Sequence, residues 1–276
     1  MEYFGKSILI SGGSRGIGLA IAELFASKGA NITIIARDEV RIGQAIQQIG
    51  NACKENSQRI TGIKLDVSQD ADVKKVIGNL IIKDGYPDIL VNSAGYAHPG
   101  QIEDLSLEIF RKTMDVNYFG TVNMTVAVIP GMLARGSGTI VNISSVSGFL
   151  GIYGYTAYSG SKYAVTGFSD ALRNEMKPKG IRISIVFPPD TDTEQLVYET
   201  QFKPDVTKTI AGNAGLLTPQ EVAKTIIDGI ENHKYVITPG YEASLFYWLH
   251  HFAGKLTINI LDWMAVNAWK KFNLKK

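Results

Sequence analysis

Tyr158 and Lys162 stand four residues apart in Ala157-Tyr158-Ser159-Gly160-Ser161-Lys162, and Ser145 lies thirteen residues before the tyrosine. Residues i and i+4 share a helix face, so the ammonium can lie beside the phenol. A phenol ordinarily ionises near pH ~10. An adjacent cation favours phenolate and brings that value toward working pH, where tyrosine serves as a general acid or base. Ser145 can supply a second hydrogen bond that holds a carbonyl oxygen in line. Alone, Y-x-x-x-K describes many half-buried helix faces, so its meaning depends on what positions it.

The N-terminal region offers a place to hold a phosphorylated ligand. A β-rich run, Lys6–Ile10, leads into Ser11-Gly12-Gly13-Ser14-Arg15-Gly16-Ile17-Gly18 and then an apolar-periodic helix, Leu19–Ala26. Strand, glycine-rich turn and helix together aim backbone N–H groups and the helix dipole at an anion. Gly12, Gly16 and Gly18 are spaced G-x-x-x-G-x-G, and Ser14, Arg15 and Ile17 belong to the same turn. That context favours a dinucleotide over an ordinary turn.

Apolar runs at Ile8–Ser11, Asn31–Ala36, Ile60–Leu65, Asp88–Asn92, Gly138–Ile143, Arg182–Phe187 and Lys234–Ile237 alternate with helical patterns such as Val73–Ile82, Leu107–Ala134, Ala164–Met176 and Pro219–Glu231. Repeated βα units with β-branched strands predict a parallel sheet covered by helices on both faces. The expected architecture is α/β, a Rossmann-type doubly wound sheet of about seven strands. Ligands bind beyond the strand C-terminal ends in such sheets. Gly12, Arg37, Asp66, Asn92, Ser145 and Pro188 each fall at or just after one of those ends.

At 276 residues the chain suits one catalytic domain over 1–240 and a helical extension over 241–276. A net charge of +2 gives no argument for nucleic acid. The lone Cys53 excludes an intrachain disulfide framework and a cysteine-based zinc site. His250-His251 has no third ligand nearby, so no metal site is expected. Met1–Gly5 is too short for a signal peptide, and a cytoplasmic setting is expected.

Through Gly12–Gly18, Asp66-Val67, Asn92-Ser93-Ala94-Gly95, Asn117, Ser145, Tyr158 and Lys162, the chain resembles the short-chain dehydrogenase/reductases over roughly residues 1–240. Asn92-Ser93-Ala94-Gly95 differs from the more usual Asn-Asn-Ala-Gly at its second position. The resemblance implies hydride transfer between a nicotinamide cofactor and a carbonyl or alcohol. It implies that Tyr158 protonates the forming alkoxide, Ser145 polarises the carbonyl, and Lys162 binds the nicotinamide ribose. Asn117 would hold a water that relays protons to Lys162, although as a helix-interior amide it could equally be satisfied by backbone. Asp66, Val67, Asn92, Ala94, Gly95, Pro188, Thr191 and Thr193 join the expected cofactor contacts, Thr193 at the nicotinamide carboxamide. Relatives of this family often form dimers or tetramers through the segments around Leu107–Ala134 and Tyr158–Met176.

An acidic residue after the second strand would favour NAD, but Arg37 stands there. Arg37 and Arg15 can clamp a 2′-phosphate, and Arg41 can add a third guanidinium. NADP(H) is therefore the expected cofactor, with Asp38 as counter-evidence if it points inward.

Pro188-Pro189-Asp190-Thr191-Asp192-Thr193 is unusual after a sixth strand. With Gly151–Ser159 it resembles the 3-ketodihydrosphingosine reductases, which implies a long-chain amino ketone as substrate. Asp190 or Asp192 could pair with the substrate ammonium or merely cap the following segment, and Tyr155 is a further substrate candidate. Segment 194–217, with its Gly212-Asn213-Ala214-Gly215 turn, reads as a mobile substrate loop. Beyond Tyr241, aromatic residues including Trp248, Trp263 and Trp269, with terminal lysines, suit a peripheral membrane contact at a cytoplasmic face, a lid over the cleft or a subunit interface. Other lipophilic carbonyls (steroid, retinoid or 3-oxoacyl) remain open as substrates, as does a non-catalytic NADP(H)-sensing role.

Overall fold

The computed structural model describes residues 3–211 and 215–273. Seven strands, β1 (Ser7–Ser11), β2 (Asn31–Ala36), β3 (Ile60–Lys64), β4 (Ile89–Asn92), β5 (Gly138–Ile143), β6 (Ile181–Val186) and β7 (Val236–Ile237), pair in parallel. Their order is β3-β2-β1-β4-β5-β6-β7. The strand order reverses between β1 and β4, which is the switch point where ligands bind. Seven strands and their parallel sense agree with the sequence reading.

Among the described residues, α-helical segments connect and cover them: α1 (Gly16–Ser27), α2 (Glu39–Asn51), α3 (Asp70–Asp84), α4 (Leu107–Met114), α5 (Gly120–Arg135), α6 (Thr156–Met176), α7 (Glu194–Thr200), α8 (Asp205–Ala211), α9 (Pro219–Glu231) and α10 (Tyr241–Asn273). Ile8 and Ile10 of β1 pack with Ile21 and Phe25 of α1 and Val222 and Ile226 of α9. Leu9 faces the other side, among Val73 and Ile77 of α3 and Met124 and Val128 of α5. Because both faces are buried, the strands read as unbroken apolar runs rather than alternating ones.

Helix starts follow local chemistry. Asp38 caps α2 by accepting from the backbone N–H groups of Val40 and Arg41 at 3.0 and 3.2 Å. Thr218 and Glu221 form a reciprocal capping box on α9, with Pro219 at the first helical position. By contrast, α1 starts behind Arg15 without a side-chain cap and with no acidic residue in its first turn. Its leading N–H groups are left for an anion.

Two expectations about continuity need correction. The periodic segment Leu107–Ala134 is not one α-helix, because a π-helical turn, Asp115–Phe119, separates α4 from α5. Segment 194–217 is not a bare loop either, since it contains α7 and α8. The Gly212–Ala214 part of its expected turn lies outside the described residues, as do the terminal lysines Lys275 and Lys276.

In α10 the helical path breaks at Ala253 (φ −132°, ψ 39°), so the extension is two helices rather than one. Tyr247 stacks on Phe187 with ring centroids 5.5 Å apart and meets Phe149 edge-on at 5.3 Å. Leu261 joins the same apolar patch. Trp248, Phe252, Trp263 and Trp269 remain exposed. Among the described residues, no helix is long and apolar enough to cross a membrane.

Candidate active site

One cleft of about 430 Å³ opens along the C-terminal edge of the sheet. Residues just past five strands line it: Gly12 after β1, Arg37 after β2, Asp66 after β3, Ser145 after β5 and Pro188 after β6. The glycine turn forms one wall. Gly12 has φ +73°, and a Cβ there would lie 2.6 Å from the Ala94 amide nitrogen. A Cβ on Gly18 would approach the Gly12 carbonyl oxygen to 2.2 Å. Only glycine permits this close passage of turn, helix and the loop after β4. Ser14, Arg15, Gly16, Ile17, Val67, Ala94, Gly95, Thr191 and Thr193 also line the cleft. Thr193 caps α7 through its hydroxyl, which accepts from the Leu196 N–H at 3.3 Å.

At the far end, Arg15 and Arg41 converge on one carboxylate oxygen of Glu194. Arg15 Nη1 donates to Glu194 Oε2 at 3.1 Å, and Arg41 Nη1 bonds the same oxygen. These bonds, Arg41's first, hold the Glu194 carboxyl below its usual range. Arg37 Nη1 lies 4.0 Å from Asp66 Oδ2. Asp38 is committed to capping α2 and to Arg41 Nε at 3.6 Å. Three guanidinium groups and an uncapped helix N-terminus fit a dinucleotide carrying an extra phosphate.

At the near end, α6 begins at Thr156, so Tyr158 and Lys162 occupy its first two turns. Lys162 Nζ sits 5.6 Å from the Tyr158 ring centre and donates to the Ile143 carbonyl at 2.9 Å. Ser145 Oγ accepts from the Ser147 N–H at 3.1 Å and is hydrogen-bonded to Tyr158. Burial, reinforced by the charges of Glu199 and Asp190, drives the Tyr158 phenol above its ordinary range, and the Ser145 bond opposes this. Burial also pulls Lys162 down to about 8 against the attraction of Glu199. Among the protein's own groups the expected lowering of the phenol by Lys162 is therefore absent. Desolvation outweighs the attraction because both groups lie deep in the cleft floor and the ammonium turns to a carbonyl.

Two predicted residues sit behind the cleft instead of lining it. Asn92 is in register with Asn142 across β4 and β5, and its Nδ2 donates to Asn142 Oδ1 at 2.9 Å and to Thr125 Oγ1 at 3.2 Å. Strand alternation turns it toward α5, and the expected cofactor contact falls to Ala94 and Gly95. Asn117 is buried in the π-helical turn, accepting from the Tyr96 N–H at 2.8 Å and donating to Tyr96 O at 2.9 Å and Ser161 Oγ at 2.8 Å. Both of its N–H donors are thus spent on positioning the loop after Gly95 against α6.

The substrate candidates also separate. Tyr155 is buried at the cleft wall, and its hydroxyl donates to Glu199 Oε2 at 2.6 Å. Asp190 lines the cleft but is paired with Lys203 Nζ at 2.9 Å. Asp192 is exposed and is not among the residues that line it. Residues the sequence reading missed, Gln195, Glu199 and Lys203, all line the cleft. Gln195 and Glu199, four apart, share one face of α7, a signal that the mixed polarity of the segment hid, while Lys203 lies in the turn beyond the helix.

Residues 6–203 match the family model described as short chain dehydrogenase. This chain belongs to the short-chain dehydrogenases. A 3-dehydrosphinganine reductase of Danio rerio is 41% identical over 224 residues, covering 81% of this chain and 68% of that one. A 3-ketodihydrosphingosine reductase of Dictyostelium discoideum is 34% identical over 99% of this chain and 92% of its own. Among solved structures, a short-chain dehydrogenase from Sphingobium yanoikuyae in complex with NADPH superposes with a TM-score of 0.78 at 25% identity, covering 92% and 95% of the two chains. As a short-chain dehydrogenase the protein is an oxidoreductase that binds a nicotinamide cofactor, and its seven-stranded sheet is the family fold.

Proposed function

We propose that the protein reduces a long-chain amino ketone, 3-ketodihydrosphingosine, to sphinganine with NADPH. The observation that carries the ketone reduction is the placement of Ser145, Tyr158 and Lys162 on one cleft with the glycine turn. The choice of ketone is supported by relatives named for that reaction, 34–41% identical over most of the chain.

The Gly12–Gly18 turn and the α1 N-terminus would hold the pyrophosphate, and Arg15, Arg37 and Arg41 the 2′-phosphate. The cofactor held there would supply the hydride for the carbonyl carbon. Ser145 holds the ketone oxygen, and the neutral Tyr158 phenol donates its proton to that oxygen. A phenol kept protonated by burial is in the right form to act as the acid of a reduction. Lys162, which here donates to the Ile143 carbonyl, would hold the ribose and help return a proton to Tyr158.

NADPH absorbance followed with 3-ketodihydrosphingosine in detergent tests the assignment. Turnover with NADPH should exceed that with NADH by about 10-fold or more, and Arg41→Ala should remove most of this preference. Failure to reduce the ketone with either cofactor would reject the assignment.

The exposed aromatic face of α10, on a helix pair anchored to the sheet edge by Tyr247 and Leu261, is read as a peripheral lipid contact rather than a lid. Among the described residues none of α10 lines the cleft. The protein should co-sediment with vesicles containing anionic lipid, and Trp248→Ser with Phe252→Ser should weaken that about 10-fold. Undiminished co-sedimentation by the double variant would reject this use of the face.

A further inference from the structure

We propose that Glu199 is the anchor for the substrate ammonium, a deepening that rests on the amino-ketone reading above. Glu199 projects from α7 into the cleft and is 7% exposed. Its hydrogen-bond donors are neutral: the Tyr155 hydroxyl at 2.6 Å and the Gln195 amide at 2.9 Å. Lys203, whose charge also reaches Glu199, makes its ion pair with Asp190 at 2.9 Å. A carboxylate offers about four acceptor positions, so roughly two remain open here. Burying a carboxylate whose hydrogen bonds come from neutral groups is costly, and burial raises its pKa against the bonds of Tyr155 and Gln195 and the attraction of Lys203. A cation delivered by the ligand would relieve that cost.

The position fits the chemistry of the substrate. In a 2-amino-3-ketone the nitrogen sits on the carbon next to the carbonyl carbon. Whatever holds the ammonium must therefore stand beside the groups that hold the ketone oxygen. Glu199 meets this requirement through Tyr155, whose ring centre is 5.8 Å from that of Tyr158. Its charge reaches both Tyr158 and Lys162. Asp190 and Asp192 meet it less well, the first being half-exposed and already paired with Lys203 and the second lying outside the cleft lining.

The pairing would also assist the chemistry. The Glu199 charge is one of the influences that raise the Tyr158 phenol. An ammonium placed between them offsets that influence and makes the phenol a readier proton donor when the correct substrate is bound. Specificity and acid strength would then come from one contact.

The test compares kcat/KM for 3-ketodihydrosphingosine and for the same-length 3-ketone lacking the amine, in the wild type and in Glu199→Gln. The wild type should favour the amine on the order of 30-fold or more, the range expected when one partner of a buried charged pair is lost. Glu199→Gln should erase that ratio, and Glu199→Asp should restore part of it. NADPH titration of each variant, by cofactor fluorescence, confirms that the cofactor half of the cleft is intact. Equal losses on both ketones, or a retained ratio, would overturn the anchor while leaving the proposed activity standing. A wild type that reduces both ketones equally, or neither, would overturn the amino-ketone reading itself and the anchor with it.

Discussion

Tyr158→Phe should lower kcat for ketone reduction by about 10³-fold, within the range for loss of a positioned general acid, and leave NADPH affinity within about 3-fold of the wild type. The phenylalanine keeps the ring that packs beside Tyr155 and removes only the hydroxyl bonded to Ser145. No other described residue combines a donor of suitable chemistry with that place in the cleft. Lys162 turns to Ile143, and the Tyr155 hydroxyl is spent on Glu199. Single-turnover kinetics separate the chemical step from product release. A variant that still turns over within about 10-fold of the wild type would remove Tyr158 as the acid.

Lys162→Met should have two opposite effects, a loss of activity and a gain in stability of the protein without cofactor. The folded protein releases the Lys162 proton near pH 8, whereas the unfolded chain holds it to about 10.5. Between those values the unfolded state binds more protons, so stability rises with pH, and below about pH 8 the buried ammonium carries its full cost. At ~1.4 kcal/mol per unit this is roughly 3 kcal/mol, offset by about 1 kcal/mol for the lost bond to Ile143. A net gain of about 2 kcal/mol at pH 7 should appear in urea unfolding, together with loss of the wild-type rise in stability between pH 8 and 10.5. Destabilisation instead would mean that the ammonium's attraction to Glu199 exceeds its desolvation cost.

How much of this was legible in the sequence depends on how local each signal is. The glycine turn, the strand ends other than Asn92 and the Tyr158–Lys162 pair are written in contiguous residues or one helical turn, and the fold brings them to one cleft. Asn92 misled because a strand position does not reveal which side its side chain takes once both sides are buried. Glu199 was invisible because its meaning comes from Tyr155, forty-four residues earlier in the chain. Glu194 was missed similarly: it gathers Arg15 and Arg41 across 179 and 153 residues. Seven-residue α7 also carries too few apolar positions to announce itself as a helix.

The turn at Asp115–Phe119 sets how this part of the gene can change. The Gly120 N–H bonds back to the Asp115 carbonyl, five residues earlier, so the ladder there holds one residue more than an α-helix would. Five residues of this wider turn sweep about as far around the axis as four of an ordinary one, so the extra residue is absorbed locally and α4 and α5 keep their faces. Deleting one codon of the five would let the ordinary ladder close with Met124 and Val128 still facing the core. What it would remove is the widened turn that carries Asn117 between Tyr96 and Ser161. A one-residue deletion here should therefore spare the fold and disturb the wall of the cleft.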